Sequence, residues 1–436
     1  MKRLLLNDLI SWKNDPHRKP LILNGARQVG KTWLLQHFGS TEYASVAYVN
    51  CERQENLDAI FMNFETQRMI RSLSAVTQVD IIPEKTLIIL DEIQEYPRAL
   101  TALKYFCEDA PNYHIAVAGS LLGISLHGGV SFPVGKVNMF QLYPMSFEEY
   151  LHAMGRSQAA NILAEGDWSL IDSLSLLYIE MLRQYYFVGG MPGVVKAYVD
   201  GAGPNQIRQI QQQILSDYRR DFSKHADARE VPRINQVWDS IPRQLARENK
   251  KFLYREVKPG SRSSQYELAL QWLTDAGLVY RVPRIKEARM PIKFFEEFSV
   301  FKLFPLDVGL LGAQIDAPAD KILIGDKAFK EYKGAFSEAF VLTQLLPFHK
   351  PIAYYSTNDS QVEIDFVYQS DSRIIPIEVK AEENVKSKSL RAFIEKYSEL
   401  KGLRISMRPH IDQGWMENIP LYGIYAYFSR LQAGDK

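Results

Sequence analysis

The chain has 436 residues, 46% of them hydrophobic and 24% charged, with a formal net charge of +1. That length allows two or three domains at roughly 100–200 residues each, and the composition is that of a globular protein, not a disordered or fibrous one. Near-neutral charge excludes a polyanion binder in which the whole chain takes part, so any nucleic-acid surface is local. Two cysteines, Cys51 and Cys107, exclude a zinc cluster or a disulfide framework. No apolar run reaches the roughly 18 residues that span a bilayer. Asn7 and Asp8 interrupt the Leu4-Leu5-Leu6 run too soon for a signal peptide. A cytoplasmic setting without a membrane partner is therefore expected.

Residues 2–14 read as a helix, and Leu21-Ile22-Leu23 as a short buried strand. Gly25-Ala26-Arg27-Gln28-Val29-Gly30-Lys31-Thr32 follows, a complete G-x-x-x-x-G-K-[ST] loop. Trp33, Leu34, Leu35 and Phe38 then give helical spacing. Glycines let backbone N–H groups curl around an anion, and the helix N-terminus adds partial positive charge. Lys31 is expected on the β- and γ-phosphates and the Thr32 hydroxyl on Mg²⁺. The whole loop, with Trp33, is the expected nucleotide contact.

Val46 to Asn50 reads as a second strand, and residues 55–74 as a helix. Thr86 to Asp91 is an apolar strand running into Asp91-Glu92, the Walker B pattern. Ligands bind beyond the carboxyl ends of such parallel strands. Asp91 is expected to hold Mg²⁺, and Glu92 to act as general base on the attacking water. Ile115 to Ser120 is a further strand, with Ser120 at its tip near the expected γ-phosphate.

The GARQVGKT and LIILDEIQ segments, the Ala118-Gly119-Ser120 tip, and Phe132-Pro133-Val134-Gly135-Lys136 leading to Leu142-Tyr143-Pro144-Met145-Ser146-Phe147-Glu148-Glu149-Tyr150 carry a resemblance. The chain resembles a large prokaryotic family that couples an AAA+ core, related to archaeal ATPases and STAND signalling NTPases, to a C-terminal region. That resemblance implies ATP and Mg²⁺ as cofactors. It also implies an α/β fold class: a P-loop AAA+ parallel-sheet core (1–155), a helical lid (156–230), a winged-helix domain (231–330) and a C-terminal α/β restriction-endonuclease-like domain (331–436).

Within the middle region, Gly189-Gly190-Met191-Pro192-Gly193 breaks a helical pattern like a lid joint. Residues 234–285 read as three helices and a hairpin, with Gln265 to Ala276 as recognition helix. Between 231 and 293, 13 Lys/Arg face 6 Asp/Glu. Double-stranded DNA is a candidate partner, with Lys250, Lys251, Arg255, Lys258, Arg262, Arg281 and Arg284 as phosphate contacts. The competing reading is a winged helix that packs on the ATPase core and touches no DNA.

Further on, Glu338 is embedded in an apolar helical pattern, and Asp365 lies on an alternating strand. After Asp365 and twelve intervening residues comes Glu378-Val379-Lys380 on a second strand. The set resembles the PD-(D/E)XK nuclease core. Asp365 and Glu378 are then the expected Mg²⁺ ligands, with Lys380 on the same strand face as Glu378 and Glu338 completing the site. Two functions stay open. One is an ATPase whose nucleotide state controls a DNA-binding, Mg²⁺-dependent nuclease-like domain. The other is a STAND-like switch or scaffold with a silent nuclease fold that binds a protein partner or itself. Neither Arg98 nor Arg183 is singled out as an arginine finger.

Overall fold

A computed structural model describes residues 1–54, 57–120, 132–247, 250–324, 330–357, 361–381 and 387–434. The chain forms two compact units. One comprises Lys2–Tyr143 with Asp275–Gly277; the other is chiefly Pro144–Thr274 and Leu278–Lys436.

The first unit is built on β1 (Leu21–Asn24), β2 (Ser45–Asn50), β3 (Thr86–Asp91), β4 (His114–Ala118) and β5 (Asn138–Gln141), in the order β2-β3-β4-β1-β5. Every pairing is parallel. β3 and β4 are buried along their whole length, as strands covered on both faces must be. Their apolar runs pack against Met69, Leu73, Leu100, Leu103 and Phe106 from flanking helices. The helix expected over 55–74 is two helices, Leu57–Ile60 and Thr66–Thr77, with residues 55 and 56 outside the described ones. Phe64 between them adopts a left-handed φ of 52°. Phe61, Met69 and Leu73 are nevertheless buried, so the periodicity reports burial and not an unbroken helix.

The second unit begins with helices, the longest being Ser175–Val188, Pro204–His225 and Val231–Leu245. It continues into an eight-stranded mixed sheet: β6 (Val279–Ile285), β7 (Glu296–Pro305), β8 (Ile352–Ser356), β9 (Glu363–Gln369), β10 (Ile374–Val379), β11 (Gly402–Ser406), β12 (Ile411–Asp412) and β13 (Met416–Pro420). The order is β12-β13-β11-β10-β9-β8-β6-β7. The β6–β7 hairpin, which the sequence reads as a wing, is thus one end of the C-terminal sheet, joined to it by parallel β6–β8 pairing. Ile285, Ala288 and Ile292 of that hairpin share a core with Tyr355, Ile364, Leu390 and Phe393.

The Gly189-Gly190 break is held by a residue from far along the chain. Asp307 is buried and accepts from Gly190 N at 2.6 Å and from Leu310 N at 2.9 Å, capping the helix Val308–Gln314. A Cβ on Gly189, whose φ is 76°, would lie 2.2 Å from Asp307 Oδ1. Asp307→Ala strands both N–H groups at about 1–3 kcal/mol each. The expected result is a loss of about 2–4 kcal/mol in urea unfolding followed by tryptophan fluorescence. Native-like stability would remove Asp307 as the clasp.

Candidate nucleotide site and a second acidic constellation

The loop from Gly25 to Gly30 joins the end of β1 to the helix Lys31–Glu42. A Cβ on Gly25 would lie 2.4 Å from Leu142 O, so only glycine fits there. Gly30 caps the helix with a φ of 95°, a backbone setting natural to glycine. Ala26 and Val29 are buried, Arg27 is half-buried, and Gln28 is exposed with a φ of 67°. Trp33 is 42% exposed and stacks on His37, ring centroids 4.9 Å apart.

Lys31 is buried, and its ammonium donates to Gly25 O at 2.9 Å and Ala26 O at 2.8 Å, filling the loop with its own side chain. Burial lowers its pKa to about 8, against the pull of the Glu92 and Asp91 carboxylates. It remains a cation at neutral pH.

The ends of β1, β3 and β4 bring the other parts together. The Thr32 hydroxyl donates to Asp91 Oδ2 at 2.7 Å, and the Tyr48 hydroxyl reaches the same oxygen at 2.9 Å. Burial raises the Asp91 carboxyl, while the hydrogen bonds from Thr32 and Tyr48 oppose that rise. Glu92 leaves the strand with a left-handed φ of 53°. Its Oε2 accepts from Gln94 Nε2 at 2.6 Å and from Ser120 Oγ at 3.1 Å. Because β4 lies between β1 and β3, Ser120 falls between the loop and the Asp-Glu pair. The Thr32 hydroxyl and the Asp91 carboxylate are hard oxygen donors of the kind Mg²⁺ takes, so this donor set fits the ion.

Sequence reasoning missed Tyr48, Gln94 and Arg3. Arg3 is buried and donates to Val29 O at 2.8 Å and Tyr143 O at 2.6 Å, bracing the loop from behind. Strand alternation could have pointed to Tyr48 near the end of β2. Nothing local marks Arg3.

The second constellation lies on the eight-stranded sheet. Glu338, from the helix Lys330–Leu345, lies beside the Asp365 carboxyl on β9, close enough that its charge raises the Asp365 pKa. Asp365 Oδ2 accepts from Val379 N at 2.8 Å, linking β9 to the strand that carries Glu378. Glu378 is 3% exposed, and its Oε1 pairs with Lys380 Nζ at 3.1 Å. Glu378 Oε2 has no hydrogen-bond partner among the described residues. The structure therefore sets Glu338 beside Asp365, and Glu378 beside Lys380, with β9 and β10 paired between them.

It also adds two lysines. Lys302, on β7 and wholly buried, lies 2.6 Å from Glu363 Oε1 and 3.7 Å from Glu338 Oε2. Lys250 pairs with Glu338 Oε1. Burial would raise the Glu338 carboxyl, but Lys250 and Lys302 hold it below its ordinary value. Burial and the Glu338 charge push Asp365 up to about 7. Among the described residues no three Asp, Glu, His or Cys side chains are placed to hold a metal ion. Lys250 and Lys302 on Glu338, and Lys380 on Glu378, are ammonium groups competing with the divalent cation that the nuclease resemblance implies, so as it stands the set does not fit that ion.

Comparison with known proteins gives the class. Residues 17–151 match the AAA domain family. Residues 179–321 and 333–424 match two domain families of unknown function, DUF8612 and DUF4143. The first unit thus carries an AAA-type P-loop ATPase domain. An uncharacterized protein of Haemophilus influenzae is 24% identical over 207 residues, which is 44% of this chain and 44% of that relative. The match thus spans less than half of that relative's length.

Three solved structures are also similar. The Walker-type ATPase of Pyrococcus abyssi has a TM-score of 0.46 at 13% identity, covering 72% of this chain and 95% of that one. Cdc6p of Pyrobaculum aerophilum scores 0.28 at 15% identity, covering 74% and 96%. A RuvB variant of Thermotoga maritima scores 0.29 at 13% identity, covering 64% and 87%.

Proposed function

We propose that this chain is an ATP-binding and hydrolysing AAA-type switch whose nucleotide state sets the conformation of its remaining regions, with a nuclease-like sheet that does not cleave. The observation that carries the ATPase reading is the meeting of Thr32, Asp91, Glu92 and Ser120 at one edge of the parallel sheet. Lys31 leaves its two loop carbonyls and turns to the phosphates when nucleotide enters. Mg²⁺, when bound, supplies charge neutralisation on the phosphate oxygens. Thr32 and Asp91 would hold it. Glu92 releases Ser120 and takes a proton from the attacking water, and Ser120 becomes free to contact the γ-phosphate. Loss of turnover in both Lys31→Ala and Glu92→Gln tests this assignment.

The choice of a silent nuclease fold rests on Lys250 and Lys302, whose ammonium groups are paired with Glu338 and Glu363 beside the expected metal ligand Asp365. A protein partner or a second copy of the chain is favoured over DNA for a related reason. Of the seven basic residues offered as phosphate contacts, Lys250 pairs with Glu338, Arg284 with Glu297, and Arg281 donates to the Phe298 carbonyl. Supercoiled plasmid with Mg²⁺, with and without ATP, is expected to stay intact. Nicking that disappears in Asp365→Ala would establish the nuclease reading instead.

A further inference from the structure

We infer that Lys250 and Lys302 plug the acidic site of the C-terminal region: their two ammonium groups hold the place of a divalent cation, and the site takes such a cation only when they are withdrawn. This inference deepens the switch reading and rests on it.

The sources of the charges are the first support. Both lysines come from the middle region: Lys302 from β7, Lys250 from the stretch after the helix Val231–Leu245. Both fall within the 179–321 family match. Glu338, Glu363 and Asp365 all fall within the 333–424 match. The acids belong to one sequence module and the cations that neutralise them to another.

Geometry is the second support. Lys302 is wholly buried in a strand whose neighbours Phe301 and Leu303 are buried too. A buried ammonium is retained only where counter-charges compensate it. Its partners are Glu363 at 2.6 Å and Glu338 at 3.7 Å, with the Tyr354 ring face at 4.9 Å. Lys250 completes Glu338 from the other side. Two positive charges on this carboxyl group cluster equal the charge of one divalent ion. Glu338 Oε2 and Glu378 Oε2 are both buried without a hydrogen-bond partner among the described residues, and they are the oxygens left over for such an ion.

The test is a Mn²⁺ titration of the full chain without nucleotide, reading free Mn²⁺ by electron paramagnetic resonance. Thr32 and Asp91 contribute the same background throughout. In the native chain, Asp365→Asn is expected to leave the isotherm unchanged; loss of a binding site in Asp365→Asn overturns the plug. The variant Lys250→Met/Lys302→Met is expected to gain one Mn²⁺ site per chain that disappears when Asp365→Asn is added. A folded variant with no gain overturns it as well.

Should that variant not fold, the native and Asp365→Asn isotherms still decide, and a thermal melt adds a second arm. Lys302→Met/Glu363→Gln is expected to melt above Lys302→Met, because it removes the stranded carboxylate. A melt no higher than the single variant overturns the ion cluster. These readouts need no ATP, so failure here is distinct from failure at Lys31.

Discussion

Affinity for ATP is expected to fall by about two to three orders of magnitude in Lys31→Ala, since about 1.4 kcal/mol corresponds to each tenfold. In the structure the Lys31 ammonium already makes two hydrogen bonds, to Gly25 O and Ala26 O. Nucleotide exchanges these for bonds to phosphate, which are charge-assisted at about 1.5–3 kcal/mol each. The net loss on truncation is then about 3–4 kcal/mol, smaller than the sum because the carbonyl bonds are given up on binding. The lowered pKa of about 8 leaves the native side chain charged at pH 7, so the charge is available when phosphate arrives. Calorimetric titration with Mg²⁺ and a non-hydrolysable ATP analogue reads the change. Affinity within twofold of native would sink the phosphate-loop assignment. The loop's fold should survive, because Gly25 and Gly30 set its path and Arg3 braces it through Val29 O.

The nucleotide site was legible wherever its chemistry lies within one short segment. Gly25 to Thr32 and Asp91-Glu92 each announce themselves by spacing. Tyr48 did not, because it reaches an oxygen 43 residues away. The hairpin of β6 and β7 was legible as a hairpin, but its partner β8 begins some seventy residues on. Alternation shows which faces a strand has and says nothing of which sheet it joins. Lys250 read as a solvent-facing phosphate contact because a basic stretch gives no sign of a distant buried acid. Lys302 did leave a signal. It stands alone in the apolar run Val300 to Pro305, where a charged residue demands a buried counter-ion. The PD-(D/E)XK spacing marked four acid and lysine positions but could not show what neutralises them.

Glu92→Gln is expected to bind ATP with near-native affinity and to lower turnover by about 10²–10⁴, the range that a positioned general base contributes. The amide keeps the shape and can still meet Ser120 and Gln94, which now contact Glu92 Oε2 at 3.1 and 2.6 Å. It cannot take a proton. The left-handed φ of Glu92 fixes how its side chain leaves β3, and sparsely populated backbone of this kind gathers at working sites. Ser120→Ala separates the two roles of this pair. It removes a hydroxyl that holds Glu92 back, and it removes a contact for the γ-phosphate. A fall in turnover without loss of ATP binding assigns Ser120 to the phosphate; a rise assigns it to restraint of the base. Single-turnover hydrolysis at saturating ATP reads both variants at the chemical step. Native turnover in Glu92→Gln would remove Glu92 as the base and leave Asp91 and Thr32 as a metal site without its proton acceptor.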